Sequence, residues 1–356
     1  WNWADFCGEA LYLIIRRHWE RLPDDMQIAV KEALIHATRS IQRRNVGPGY
    51  TNIAILGTFV TLATAEWLSD SDLLDYAKQR LIRLDQHIDE TGTFTEFNSP
   101  TYTTVSIGAL TRSLQFWQDE SSKYIVRKIH DKAWLHVGTH WHAPTMQWAG
   151  PHSRCYSTDL RNNSHAQLMI QKATQGQIAF YDNNSMPGNW EASLTDYRCP
   201  DNILPMLLEL PEERQHRELF QLGRKSGETT ISPVVGTTYL SPKYTLGTCN
   251  RLDLWNQRRS LLAYWGDRNS GNYLHLRCFH DGYDFSSAQF FSVQEKNCVI
   301  GAVNFGDDGG DQHISLDRIQ NRQFKVHDIR LRWMLAGVSK DIEEASKFQI
   351  GQPFSL

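Results

Sequence analysis

Apolar residues recur every three or four positions along the first part of the chain, and that period predicts helices. The stretches 11–22, 24–44, 51–68, 71–88, 104–117 and 122–141 each carry it. Asp24, and Asp70 or Ser71, stand where N-caps belong, with side chains able to accept the free N–H groups of a first turn. Linkers of a few residues join the runs into helical hairpins. Between 157 and 200 the pattern lapses into polar sequence with a cluster of Asn, Pro and Gly at 182–190. A further helix is predicted over 202–222. From Thr229 the period shortens to runs of β-branched and aromatic residues, at 237–248, 260–266, 273–280, 287–294, 297–305 and 324–338. Gly, Asn and Asp clusters punctuate these runs, as in a meandering antiparallel sheet or sandwich. The pattern thus predicts an α+β chain with a helical domain at 1–225 and an antiparallel β domain at 226–356.

A repeat of about fifty residues underlies the helical part. Asn45-Val46-Gly47-Pro48-Gly49-Tyr50-Thr51 and Asn98-Ser99-Pro100-Thr101-Tyr102-Thr103 each run into an apolar helix. A divergent third copy is Gly150-Pro151-His152-Ser153-Arg154-Cys155-Tyr156. Stacked hairpins of this kind form a ring or solenoid whose loops share one rim, here rich in Asn, Tyr, His and Arg.

Composition narrows the function classes. A formal net charge of −3 and isolated basic pairs such as Arg43-Arg44 and Arg258-Arg259 argue against nucleic acid as a partner. No apolar run reads as a membrane span, so no membrane partner is expected. The 12 Trp, 13 Tyr and 15 Phe, often beside Asn, Gln or His, suit the flat apolar faces and hydroxyl edges of sugars, although core packing also uses them. Six cysteines without a CxxC pair argue against a cysteine zinc site, and their even number permits disulfides. Asn162-Asn163-Ser164 and Asn183-Asn184-Ser185 are glycosylation-type triplets. The chain starts at Trp1 without a leader-like segment, which reads as a natural N-terminus lying upstream.

The layout of hairpins followed by short strands, with polar rim loops, resembles the polysaccharide lyases of the heparinase II/III, alginate lyase and chondroitin lyase type. The resemblance implies an incomplete (α/α) toroid followed by an antiparallel β-sandwich, and a secreted or periplasmic enzyme. It also implies β-elimination on an acidic polysaccharide or oligosaccharide, with no cofactor required. Such a reaction needs a polar group to neutralise the uronate carboxylate, a base for the C5 proton and an acid for the leaving oxygen. Asn98 resembles the neutralising Asn of a toroid loop, although Ser99 stands where those families often carry His. His152 and Tyr156 resemble the His and Tyr of a later rim loop. Arg154 between them would hold the carboxylate or stabilise a tyrosinate, since a free Tyr titrates near pH ~10.

Tyr102, His142, Trp148, Trp190 and Glu96 are the expected substrate-binding residues around that centre, with Trp141 as a further platform. Each has a plainer reading: capping for Asn98, hairpin packing for Tyr102, core packing for the tryptophans. His136, His140 and His142 carry an i, i+4 pair that can bind zinc, but no HExxH motif completes it. His280 and Asp284, in His280-Asp281-Gly282-Tyr283-Asp284, resemble a sheet-domain metal loop for a structural Zn2+ or Ca2+; an Asp-Gly hairpin turn is the alternative. Two other functions fit the same pattern. One is a glycoside hydrolase using Glu96 with Glu191 or Asp159. The other is a non-catalytic glycan-binding or repurposed lyase-like protein.

Overall fold

The computed structural model describes residues 2–182, 184–221, 233–306, 311, 313 and 316–337. Helices α1 (Trp3–His18), α2 (Asp24–Arg44), α3 (Thr51–Leu68), α4 (Ser71–Thr91), α5 (Tyr102–Phe116) and α6 (Glu120–His140) form the N-terminal part. They lie where the apolar period placed them, except that α1 starts earlier, at Trp3. Asp70 caps α4 by accepting from Leu73 N at 3.0 Å, whereas Asp24 is the first helical residue of α2, behind Pro23. Helix α3 is the centre of the layer and packs on α1, α2, α4 and α5. Its residues from Thr51 to Ala65 are all buried. By length and mean hydropathy it is the single described helix that would suit a bilayer, but most of it lies inside the protein, as a core helix does. Glu9 of α1 and Arg112 of α5 form a buried ion pair at 2.6 Å.

Two short strands follow, β1 (Trp141–His142) and β2 (Gln147–Trp148), paired with each other. Then come α7 (Ser164–Ala173), α8 (Trp190–Leu194) and α9 (Leu204–Leu208). The helix expected over 202–222 ends at Leu208, and Arg214–Gln221 is a strand, β3. His216, Glu218 and Phe220 alternate along it, and Phe220 is buried against Phe97 with the rings stacked 4.0 Å apart. Pairing along its whole length with β4 (Pro233–Leu240) supplies hydrogen bonds that no isolated helix there would match. The sheet therefore takes in residues ahead of the expected domain boundary; 225 and 226 themselves lie outside the described residues.

The remaining strands are β5 (Tyr244–Cys249), β6 (Arg251–Asp253), β7 (Leu261–Trp265), β8 (Asn272–His280), β9 (Tyr283–Phe285), β10 (Ala288–Glu295), β11 (Cys298–Phe305), β12 (Leu316–Asp317) and β13 (Ile329–Ala336). One sheet runs β12-β9-β8-β7-β5-β4-β3 with β13 also on β8, and all its pairs are antiparallel except β12 with β9. A second runs β11-β10-β6. Leu276 and Phe285 of the first share a buried cluster with Phe290 of the second. The architecture is thus a helical N-terminal part followed by a mostly antiparallel multi-strand region. All six cysteines are free thiols. Asn163 caps α7 through Ala166 N at 3.2 Å, while Asn183 of the second glycosylation-type triplet lies outside the described residues.

Candidate functional site

The second and third copies of the repeated loop meet where the helical part faces the sheet. Asn98 holds them together. Its Nδ2 donates to Ala149 O at 2.8 Å and Pro151 O at 2.7 Å, and its Oδ1 accepts from Trp148 Nε1 at 2.7 Å. Its φ of 43° is a left-handed conformation that Asn tolerates better than most residues. His152 adds a bond of 2.6 Å from Nδ1 to Asn98 O, and Ser99 Oγ donates to Arg154 O at 2.7 Å. On the far side, His152 and Arg259 exchange backbone bonds, and Cys155 N donates to Gln257 O. Gly247 of β5 completes the clamp. A Cβ there would lie 2.0 Å from Gly150 O, so only glycine lets the strand come this close.

This geometry corrects several expectations. Asn98 and His152 are fully buried, and every polar atom of the Asn98 side chain is engaged within the fold. Neither offers a group to a substrate. Burial pushes His152 down to about 3, so its ring is neutral, with the proton on Nδ1. His142 is likewise buried, bonded to Thr145 Oγ1 at 2.6 Å and Ser241 O at 2.8 Å, and burial lowers it to about 4. Trp148 and Trp141 are core residues rather than sugar platforms. Trp190 is half exposed at the start of α8.

What reaches solvent at the junction is a tyrosine pair. Tyr102 and Tyr156 meet with their phenolic oxygens 2.6 Å apart, and Tyr156 is 55% exposed. Arg154 lies behind them, donating from Nη2 to Tyr102 Oη at 3.2 Å. Gln257 Oε1 fixes the guanidinium by accepting from Nε at 3.0 Å and Nη2 at 2.6 Å. Arg154 also stacks over the Trp255 and Tyr102 rings, 4.8 Å and 5.0 Å from their centroids. Burial and the bond to Tyr156 hold Tyr102 far above the ordinary phenol range, so it stays protonated. With its oxygen accepting from Arg154, its own hydrogen is free for Tyr156. Tyr50, from the first loop copy, instead accepts from Asn2 at 2.8 Å and stays out of this pair.

Glu96 sits under the same rim, accepting from Asn52 N at 3.0 Å and Asn52 Nδ2 at 2.5 Å. Burial raises its pKa against the pull of Asn52 and Arg154. The partners proposed for it in a hydrolase are committed elsewhere: Asp159 to Arg161 and Gln147, Glu191 beside His165. The sequence pattern by itself does not single out Trp255 and Gln257. Their signal was a polar and aromatic run, Trp255-Asn256-Gln257-Arg258-Arg259, between two apolar strands.

The two metal expectations fare differently. His280 and Asp284 are turned to other partners. Both His280 nitrogens are engaged, with Asp317 Oδ2 at 3.1 Å and Lys325 O at 2.6 Å. Burial opposes its charge, but these two acceptors outweigh it and raise its pKa. Asp284 is held by Arg277 through both oxygens. His136 and His140 do gain a carboxylate, Glu218, from the strand that the sequence pattern read as helix; the three offer ligand atoms within 4.8 Å of one another. Burial pushes His140 down to about 4. For Glu218 burial acts upward, but His136, His140 and His216 outweigh it and keep the carboxyl ionised.

Residues 1–190 match the family model described as Domain of unknown function (DUF8769). No curated protein and no solved structure matches the chain. The matched segment includes Tyr102, Arg154 and Tyr156, while Trp255 and Gln257 lie beyond it.

Proposed function

We propose that this chain, which belongs to the DUF8769 family, is a polysaccharide lyase that cleaves a uronate-containing glycan by β-elimination at the tyrosine rim. The observation that carries the reading is the Tyr102–Tyr156 contact with Arg154 behind it. In this reading α1 to α6 are an incomplete (α/α) toroid, the two sheets a β-sandwich, and the substrate lies at their junction. The enzyme would act outside the cytoplasm, where such polymers occur.

Tyr156 is the base, as a phenolate. Tyr102 stabilises that charge by donating its hydrogen, and Arg154 polarises Tyr102 in turn. Tyr156 takes the C5 proton; the C–H electrons form the C4=C5 double bond, and the C4–O bond breaks. The departing oxygen then receives the proton from Tyr156, which restores the phenolate. Arg154 Nη1 has no partner among the described residues and is the donor offered to the uronate carboxylate. Neutralising that carboxylate acidifies the C5 proton, the electrostatic part of the catalysis.

The test is incubation with a panel of uronate polymers while following the ultraviolet absorbance of the unsaturated product. Tyr156→Phe should lower turnover by about 10²–10⁴-fold, the usual worth of a general acid–base group, with glycan binding kept. Chain cleavage without the chromophore would favour hydrolysis. Binding without cleavage by the unaltered protein would favour a glycan-binding module.

A further inference from the structure

We propose that His140, His216 and Glu218 form a site for one divalent transition-metal ion, zinc in the first place. The site would open on a cavity of about 270 Å³ lined by Thr93, Lys132, Thr139, His136, His216 and Glu218. It uses none of Tyr102, Arg154 and Tyr156 and does not depend on the lyase reading.

The argument is a count of protons. The Thr238 hydroxyl has one, and Gly150 O, 2.7 Å away, can only accept it. Thr238 Oγ1 must therefore accept from His140 Nδ1, 2.9 Å away, which places the ring proton on Nδ1. His140 Nε2 then turns a lone pair toward Glu218 Oε2 at 2.7 Å. Two lone pairs at that distance require a cation between them. A second proton would serve, and so would a metal. Zinc bonds of about 2.0–2.2 Å to nitrogen and carboxylate oxygen ask for only a small opening of that gap. A ring N–H held by a hydroxyl on the side away from the ion is how metal-binding histidines are oriented.

His136 has the opposite tautomeric constraint. The Asn98 backbone N–H donates to its Nε2 at 3.0 Å, so its proton sits on Nδ1, 3.5 Å from Glu218 Oε1. Coordination through Nδ1 would move that proton to Nε2, against the Asn98 N–H. His136 therefore orients the carboxylate and is not a ligand. The third ligand is His216, two residues before Glu218 on β3, with Nε2 3.1 Å from Glu218 Oε1. Its ring lies 6.0 Å from that of His140, and its side chain is 42% exposed, so a rotamer change could bring it onto the ion. Two imidazoles and one carboxylate are a zinc-type donor set, whereas calcium takes oxygen alone. Three protein ligands leave a fourth position, which faces the cavity.

Zinc alone, titrated calorimetrically into the chelator-treated full chain, should bind one equivalent. Cobalt in its place should give the visible bands of a four-coordinate ion. His216→Ala should weaken uptake by at least about tenfold, the loss seen even for outer partners of a metal site. Glu218→Gln should abolish it, and His136→Gln, whose amide oxygen still accepts the Asn98 N–H, should keep one equivalent. If Glu218→Gln fails to fold by circular dichroism, His216→Ala on its partly exposed side chain decides alone. Absence of stoichiometric uptake by the unaltered chain overturns the proposal, as does uptake unchanged in His216→Ala.

Discussion

Among single residues, the division of labour at the rim is between atoms already used by the fold and atoms left over. Asn98 and His152 carry the types a lyase needs, but the Asn98 amide and His152 Nδ1 are committed to holding two loops together, and His152 Nε2 is buried. Tyr156 Oη has one protein contact and an open face. Tyr102 is the residue whose role can be separated from packing. Tyr102→Phe keeps the ring and removes the hydrogen donated to Tyr156. A hydrogen bond to a charged oxygen is worth roughly 1.5–3 kcal/mol. The basic pKa in the rate profile should therefore rise by about one to two units. If Tyr102 only packs, the profile will keep its midpoint while stability alone falls. Arg154→Lys should lower turnover as well, because an ammonium cannot reproduce the fork that meets both Gln257 Oε1 and Tyr102 Oη.

Among elements, the decisive piece is the contact between the rim loop and the sheet. Gly247 on β5 is the point of closest approach, and Gly247→Ala would drive a methyl group into the Gly150 carbonyl. Overpacking of this kind costs about 1–3 kcal/mol. A lowered Tm together with reduced turnover is expected, since Tyr156 rides on the displaced loop; unchanged values for both would show that the loop has room to move. The helices were legible in the sequence because α2, α4 and α6 each bury one face, so that three- and four-residue spacing survives, while α3 is apolar along most of its length. The strand β3 was not legible. Its only fully buried side chain is Phe220, and Arg-Gln-His-Arg-Glu between polar neighbours carries no period until β4 pairs with it. That one misreading also hid Glu218 and so the carboxylate beside His136 and His140. The rim was half legible: the loop repeat located Tyr102, Arg154 and Tyr156, but Gln257 reaches them from a hundred residues away through a fold-level contact that no local spacing encodes.

At the scale of the whole molecule, the junction between helices and sheet is built with buried neutral histidines, and this makes stability depend on pH. Burial lowers His142 to about 4, His152 to about 3 and His275 to about 2, all from an ordinary value near 6.5. Below pH 6.5 the unfolded chain takes up these protons and the folded chain does not. The stability they confer is therefore complete above that pH and is lost as pH falls toward the folded values. Asp5, raised to about 6, and Glu9, also raised by burial, act in the opposite direction, since the folded chain holds their protons more tightly. Buried histidines and buried carboxyls thus pull in opposite senses on acidification, and each proton taken up by one state alone changes stability by about 1.4 kcal/mol per pH unit. Urea unfolding at pH 7 and at pH 5 measures the sum, and one substitution isolates a single contributor. His152→Asn keeps a donor toward Asn98 O but cannot titrate. It should be less stable than the unaltered chain at pH 7, and its stability should fall less steeply with acid, by about 1.4 kcal/mol per unit. Equal slopes in the two proteins would mean that His152 takes up its proton in the folded state, and that the junction opens without unfolding.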